Sequence, residues 1–174
     1  MSNTKVKPVP PSRAKSLEEH QRDGTFRMDR HRDLLEAVDG TVAQWQARSV
    51  RQGGSMLPAE HFEAWCRQYI KHTVGRWFGE PFTLEPWQRT LVAELLAVGK
   101  DGRRKTRQAL VGLPRKNGKS SLLSALALYF ASIEGEHAPD VIVAAGSRDQ
   151  AAVVFDQARS FAGSDPIVDL WFDQ

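Results

Sequence analysis

Gly118, Lys119 and Ser120 are consecutive and bring together the groups that phosphoryl chemistry uses. A glycine lets the backbone approach a phosphate. A lysine ammonium reaches β- and γ-phosphate oxygens, and a serine hydroxyl serves as a Mg²⁺ ligand. They close the stretch "GLPRKNGKSSLL", residues 112–123. The generic phosphate-loop spacing G-x-x-x-x-G-K-[ST] asks for a first glycine at position 113, where this chain has Leu113, and Gly112 falls one place early. No phosphate-directed side chain is lost by that departure, because Lys119 and Ser120 are in place.

Such a loop needs a strand before it and a helix after it. "RQALVGLP" reads as a short buried strand over 108–113, bounded by Pro114. "SSLLSALALYFASI" reads as a helix over 120–133, with Leu122, Leu123, Leu126, Ala127 and Phe130 at helical steps. The first N–H groups of that helix have no intrahelical partner and sit at the positive end of its dipole, which suits an anion. Upstream, Phe62, Trp65, Tyr69, Ile70, Val74, Trp77 and Phe78 recur at three- and four-residue steps, with Ser55 as cap and Gly79 as terminator. That spacing favours core packing over a base-stacking platform. A second helix carries Trp87, Leu91, Leu95 and Val98 on one stripe and stops at Gly99.

Composition narrows the classes. The chain has 174 residues, 41% of them hydrophobic, a net charge of +3 and one cysteine, Cys66, which can form no internal disulfide. That is the size and make-up of about one soluble domain in a reducing compartment. Apolar runs fall far short of the ~20 residues a membrane span needs, and the N-terminus lacks the apolar core of a signal peptide. From Lys100 to Lys119 there are eight basic residues against one acid. "KDGRRKTR" there is either a solvated turn or a DNA contact. Residues 1–16, with Pro8, Pro10 and Pro11 among lysines and serines, read as a disordered basic arm, 17–54 as a helical extension, and 55–174 as the packed domain. His20 and His31 are too far apart in a cysteine-free stretch to suggest a metal site.

Three stretches, taken in order, resemble a known family. PRKNGKS (114–120), with Arg115 three places before Gly118, is similar to the deviant Walker A motif of tailed-phage terminase large subunits, the ATPases that drive DNA into capsids. "PFTLEPWQ" (81–88) resembles that family's adenine-binding segment, and "VIVAAGSRDQAAVVFDQA" (141–158) its next strand and helix. The resemblance implies ATP and Mg²⁺ as cofactors. It implies nucleotide contacts from Gln88, which reads the base, and from Pro114, Arg115, Lys116, Asn117, Gly118, Lys119 and Ser120, with Ser120 on the metal. Arg115 takes the catalytic role at the γ-phosphate, where a fixed guanidinium stabilises developing charge, and Lys116 is its solvent-facing neighbour. It further implies double-stranded DNA, a terminase small subunit and a portal as partners, in the host bacterial cytoplasm. "HQRDGTFRMDRH" (20–31) resembles the start of certain phage small terminase subunits, or is a charged loop.

The expected fold is α/β: a P-loop NTPase parallel sheet, incomplete at two to three strands, with a helical N-terminal extension. Strands 108–113 and 141–145 are expected to lie adjacent or one apart, joined right-handedly through the 120–133 helix. A Walker B strand ending in Asp-Glu is not found. "IVD" (167–169) and "LWFD" (170–173) each lack the glutamate, so ATP binding with little hydrolysis is expected, from a truncated or remnant chain. A bare sheet edge would promote self-association. Two other readings stay open: a different P-loop NTPase or helicase-like fragment, and a non-enzymatic DNA-binding remnant.

Overall fold

The side chains around Tyr129 set the architecture. In this computed structural model, which describes residues 39–49, 51, 53–134, 139–165 and 168–169, the chain divides into two units, Met1–Glu36 and Ala37–Gln174. The first unit lies outside the described residues. So do the expected arm, the 20–31 stretch and 170–173.

Residues 39–48 form α1. Helix α2, Pro58–Tyr69, starts with proline at its first position, where no N–H is needed, and with the Glu60 carboxylate accepting from the Leu57 N–H at 3.3 Å. It buries Phe62, Trp65, Cys66 and Tyr69. It ends eight residues before Trp77, short of the aromatic face expected to run on to Phe78. After Ile70 the backbone hydrogen bonds cross the chain instead of following a helix: Phe82 N to Ile70 O at 2.8 Å, His72 N to Glu80 O at 2.9 Å, Gly79 N to His72 O at 2.8 Å. Gly75, at φ 79°, takes a left-handed conformation that a helix interior does not contain. Val74, Trp77 and Phe78 are consequently exposed.

Helix α3, Pro86–Leu96, buries Gln88, Val92 and Leu96, with Trp87, Leu91 and Leu95 half-buried beside them. Helix α4, Lys119–Ser132, is enclosed over much of its circumference, burying Leu122, Ser124, Ala125, Leu126, Leu128 and Tyr129, while Leu123 is exposed. Helix α5, Arg148–Ala162, is capped by Ser147, whose hydroxyl accepts from the Gln150 N–H at 3.3 Å. α4 and α5 pack along each other, and the small Ser124 permits close approach, its Oγ 2.8 Å from the Val154 carbonyl.

Among the described residues the expected parallel sheet is not formed. Among the described residues there is no β-strand, only isolated bridges at Ser49–Met56, Lys71–Pro81 and Val98–Arg104. Segments 108–113 and 141–145 carry no ladder, and Leu110 and Ile142 are exposed. A strand requires a neighbour to take its N–H and C=O groups, and an apolar run specifies no such neighbour. The α/β assignment is therefore corrected to a helical arrangement, and the expected sheet edge has no counterpart here. Among the described residues no helix is long and apolar enough to cross a membrane.

The basic turn is also not uniformly solvated. Gly99 N meets Arg103 O at 2.8 Å and Lys105 N meets Ala97 O at 2.9 Å, closing a hairpin-like turn that points Arg104 inward. Its guanidinium lies 2.6 Å from Glu134 Oε2, which Arg51 also meets, and 5.3 Å from the Phe130 ring centroid. Arg104→Ala is expected to lower stability by about 1–3 kcal/mol, the range for removing one partner of a buried polar pair. Arg103→Ala, at an exposed position, should stay within about 0.5 kcal/mol. Urea denaturation of the two variants measures both.

His61 is fully buried, with Nε2 2.6 Å from the Trp45 carbonyl and Nδ1 2.7 Å from the Tyr129 hydroxyl. A carbonyl only accepts, so Nε2 carries the hydrogen and Nδ1 accepts from Tyr129. Burial lowers the His61 pKa, opposed by its bond to Trp45 and by Glu134; burial lowers that of His72 too. A folded-state pKa below the unfolded one favours the neutral ring, so this stabilisation is present above the unfolded value of about 6.5 and is lost as pH falls below it. The urea midpoint should therefore drop between about pH 7.5 and pH 5.5, and less steeply in His61→Gln, with His72 supplying the remainder.

Candidate functional site

The loop that precedes α4 is built on two left-handed residues, Lys116 at φ 66° and Gly118 at φ 70°. Gly118 is the N-cap of α4, with no side-chain cap and no acidic residue in the first turn, so the positive end of the helix is not neutralised locally. Lys119 does not extend outward. Its Nζ lies 2.5 Å from the Leu113 carbonyl and 3.0 Å from that of Pro114, bracing the loop from within. The Asn117 amide sits 3.5 Å from the same Pro114 oxygen.

Beside this loop is a cavity of about 840 Å³. Lys116, Asn117, Gly118 and Ser121 form one wall, Glu85, Trp87 and Gln88 at the start of α3 another. The 71–81 excursion supplies His72, Trp77 and Glu80, and Arg67 of α2 completes that side. The excursion is anchored by Phe82, whose ring packs 5.2 Å from His72 and 5.7 Å from Phe161 of α5. Trp77 is half-exposed and carries the Arg76 guanidinium 4.6 Å from its ring centroid. The volume falls within the range of small-molecule pockets, and aromatic walls with a few polar groups are their usual lining.

Of the residues singled out in the sequence, Gln88, Lys116, Asn117 and Gly118 line this cavity together. Pro114 and Arg115 are exposed on the loop, and Lys119 and Ser120 are half-buried at its junction with α4. Ser120 gives its carbonyl to the Ser124 hydroxyl at 2.8 Å. Arg67, His72, Trp77 and Ser121 are cavity walls that the sequence reading did not select. For Trp77 a signal exists: it lies between Gly75 and Gly79, both at positive φ, and G-R-W-F-G reads as a turn as readily as a helix face. Asp169, just beyond α5, is not a wall of the cavity. Among the described residues no three His, Cys, Asp or Glu side chains are grouped as a metal site.

Residues 86–165 match the family described as terminase large subunit, ATPase domain. A terminase large subunit of Enterobacteria phage HK97 is 30% identical over 112 residues, which are 64% of this chain and 21% of that relative. The chain thus matches about a fifth of the relative's length. No solved structure matches. The family segment holds Gln88, the loop, α4 and α5, whereas Arg67, His72, Trp77, Glu80 and Glu85 lie before it.

The loop geometry has a measurable cost. A left-handed conformation is unfavourable by about 1–2 kcal/mol for a residue with a Cβ. Lys116→Gly should leave stability within about 1 kcal/mol, strain relief offsetting the glycine's added chain entropy. Lys116→Val, β-branched, should lower it by about 1–2 kcal/mol. Thermal or urea denaturation of the pair reads the difference.

Proposed function

We propose that this chain, residues 86–165 of which belong to the terminase large subunit ATPase family, holds ATP with Mg²⁺ as the nucleotide-binding part of a phage DNA-packaging motor. The observation that carries the reading is the meeting of Gln88 with Lys116, Asn117 and Gly118 around one cavity at the N-terminus of α4. A triphosphate beside that helix end would be met by unpaired N–H groups and a favourable dipole. Lys119 would exchange its two carbonyl partners for phosphate oxygens, which is a favourable trade because charge-assisted hydrogen bonds to an anion are the stronger ones.

Gln88 and the tryptophans would hold the base. Ser120 would supply one oxygen to Mg²⁺, which keeps most of its ligands as water and phosphate and needs no caged carboxylate cluster for binding. Arg115, exposed on the loop, would meet the γ-phosphate only as charge develops there. No apolar run ending in Asp-Glu is found to orient water, so turnover by this chain should be far below the roughly 1–100 per second of kinases. Double-stranded DNA, a small terminase subunit and a portal are the partners of this reading, and the host cytoplasm its location.

Calorimetric titration of ATP with Mg²⁺ tests it. The parent chain should bind. Lys119→Ala should weaken binding by at least about tenfold, or 1.4 kcal/mol. Arg115→Ala should leave binding within about threefold, since an interaction realised in the transition state contributes little to ground-state affinity. A folded chain that binds no nucleotide overturns the proposal.

A further inference from the structure

Every residue from 139 to 150 is exposed, and the apolar run Val141, Ile142, Val143 lies within that span. Exposure alternates along the run, 40% at Val141, 80% at Ile142 and 37% at Val143. That is the pattern of a strand with one side toward its own molecule and the other in solvent. β-branched side chains favour such a backbone, and Ser147, a little further on, is itself extended at φ −144° and ψ 158°. Among the described residues, 140–146 make no backbone hydrogen bond and no bridge. A row of unpaired N–H and C=O groups beside exposed valine and isoleucine is a template for another strand.

The charges at the two ends decide which strand fits. Asp140 precedes the run and Arg148 follows it, and among the described residues neither has an ion-pair partner. Let two copies of the run pair antiparallel about Ala144. Ile142 of each then meets Gly146 of the other, which leaves room for the larger side chain, and Asp140 meets Arg148 at both ends. Opposite charges directly across an antiparallel pair stabilise it, and like charges destabilise it. Moving the two-fold axis to Val143 sets Asp140 against Gly146 and loses both pairs, so charge selects the register. The same criterion excludes the other exposed stretch, 108–113. Pairing there about Val111 sets Arg107 against Arg115, both exposed, and Pro114 brings no N–H.

We infer that 141–146 is a self-association surface, on which two copies of this chain form an antiparallel two-stranded ribbon about Ala144, with Asp140 and Arg148 paired across it. Such a pair is closed, because both copies use the same edge and neither leaves it free. It makes about six backbone hydrogen bonds over a small area, which gives a weak, concentration-dependent dimer and not an obligate one. None of these residues lines the cavity beside α4, so pairing and nucleotide binding are separate properties.

Sedimentation velocity of the 174-residue chain, with charge reversal at each end of the run, tests the pairing. Over about a hundredfold range of concentration the parent should pass from monomer to dimer and go no further. Added salt should move the midpoint to higher concentration, because it screens exposed ion pairs. Asp140→Arg sets arginine against arginine, and Arg148→Asp sets aspartate against aspartate. Each should weaken dimerisation by about fivefold or more, since two ion pairs per dimer become repulsive. The double variant restores opposite charges and should return to within about threefold of the parent. Damage to the fold would add in the double variant and would not be rescued. A chain that stays monomeric throughout, growth beyond the dimer, single reversals without effect, or a double variant no better than the singles overturns the inference.

Discussion

Tyr129 is the side chain to which the rest of the described molecule is fastened. From α4 its ring meets three residues of α2, with centroids 5.1 Å from Phe62, 5.6 Å from Trp65 and 5.7 Å from His61. Its hydroxyl reaches His61, which in turn holds the Trp45 carbonyl of α1. Trp45 Nε1 returns to the Tyr69 hydroxyl at 2.9 Å, so three helices share one satisfied polar chain inside an aromatic core. Such a network is stable because every member has a partner, and costly to disturb for the same reason. Burial and the nearby Glu134 push the Tyr129 pKa far up, so the hydroxyl keeps its hydrogen to donate. α4 is pinned at this point, and at its other end Gly118 and Ser121 border the cavity together with the start of α3.

What the sequence made legible follows the range of the interactions involved. The loop at 114–120 and α4 were readable because a glycine before a helical periodicity is a local signal, whereas α5 was legible only through resemblance, although its serine cap is local too. The meeting of Gln88 with the loop was legible only through resemblance, since 30 positions separate Gln88 from Gly118 and no periodicity spans them. The stripe on α3 was displaced by one residue: Gln88, Val92 and Leu96 are buried, with Leu91 and Leu95 at the margin. A polar Gln88 does not register in an apolar pattern, although it occupies the inward face.

Two readings failed for a shared reason. Aromatic spacing from Phe62 to Phe78 fits a helix, and "ALVGL" and "VIVAA" fit strands, but each needs a partner that local pattern does not name. After Ile70 the partner is the returning chain at Glu80 and Phe82, and this pairing outcompetes another helical turn. For 108–113 and 141–145 the described residues provide no strand partner, and Leu110 and Ile142 stand in solvent. Charge misled in the opposite direction. Arg104 looked like its solvated neighbours, yet Glu134 and Phe130 draw it in at the far end of α4 from the loop.

These placements bear on how the site can work. The left-handed Lys116 and Gly118 shape the loop, and the carbonyls of Leu113 and Pro114 are held by the Lys119 ammonium. A half-buried cation satisfied by its own loop is a low-energy arrangement, so on the proposed reading an arriving phosphate would have to compete with those two carbonyls before gaining the lysine. That competition favours a ligand carrying several negative charges over one carrying a single charge, since the attraction grows with charge while the carbonyl contacts to be displaced stay the same. The aromatic wall, by contrast, is half-open through Trp77 and asks only for a flat face. On the proposed nucleotide reading, the α4 dipole and Lys119 would act together at the phosphate end, and the aromatic wall would add contact area.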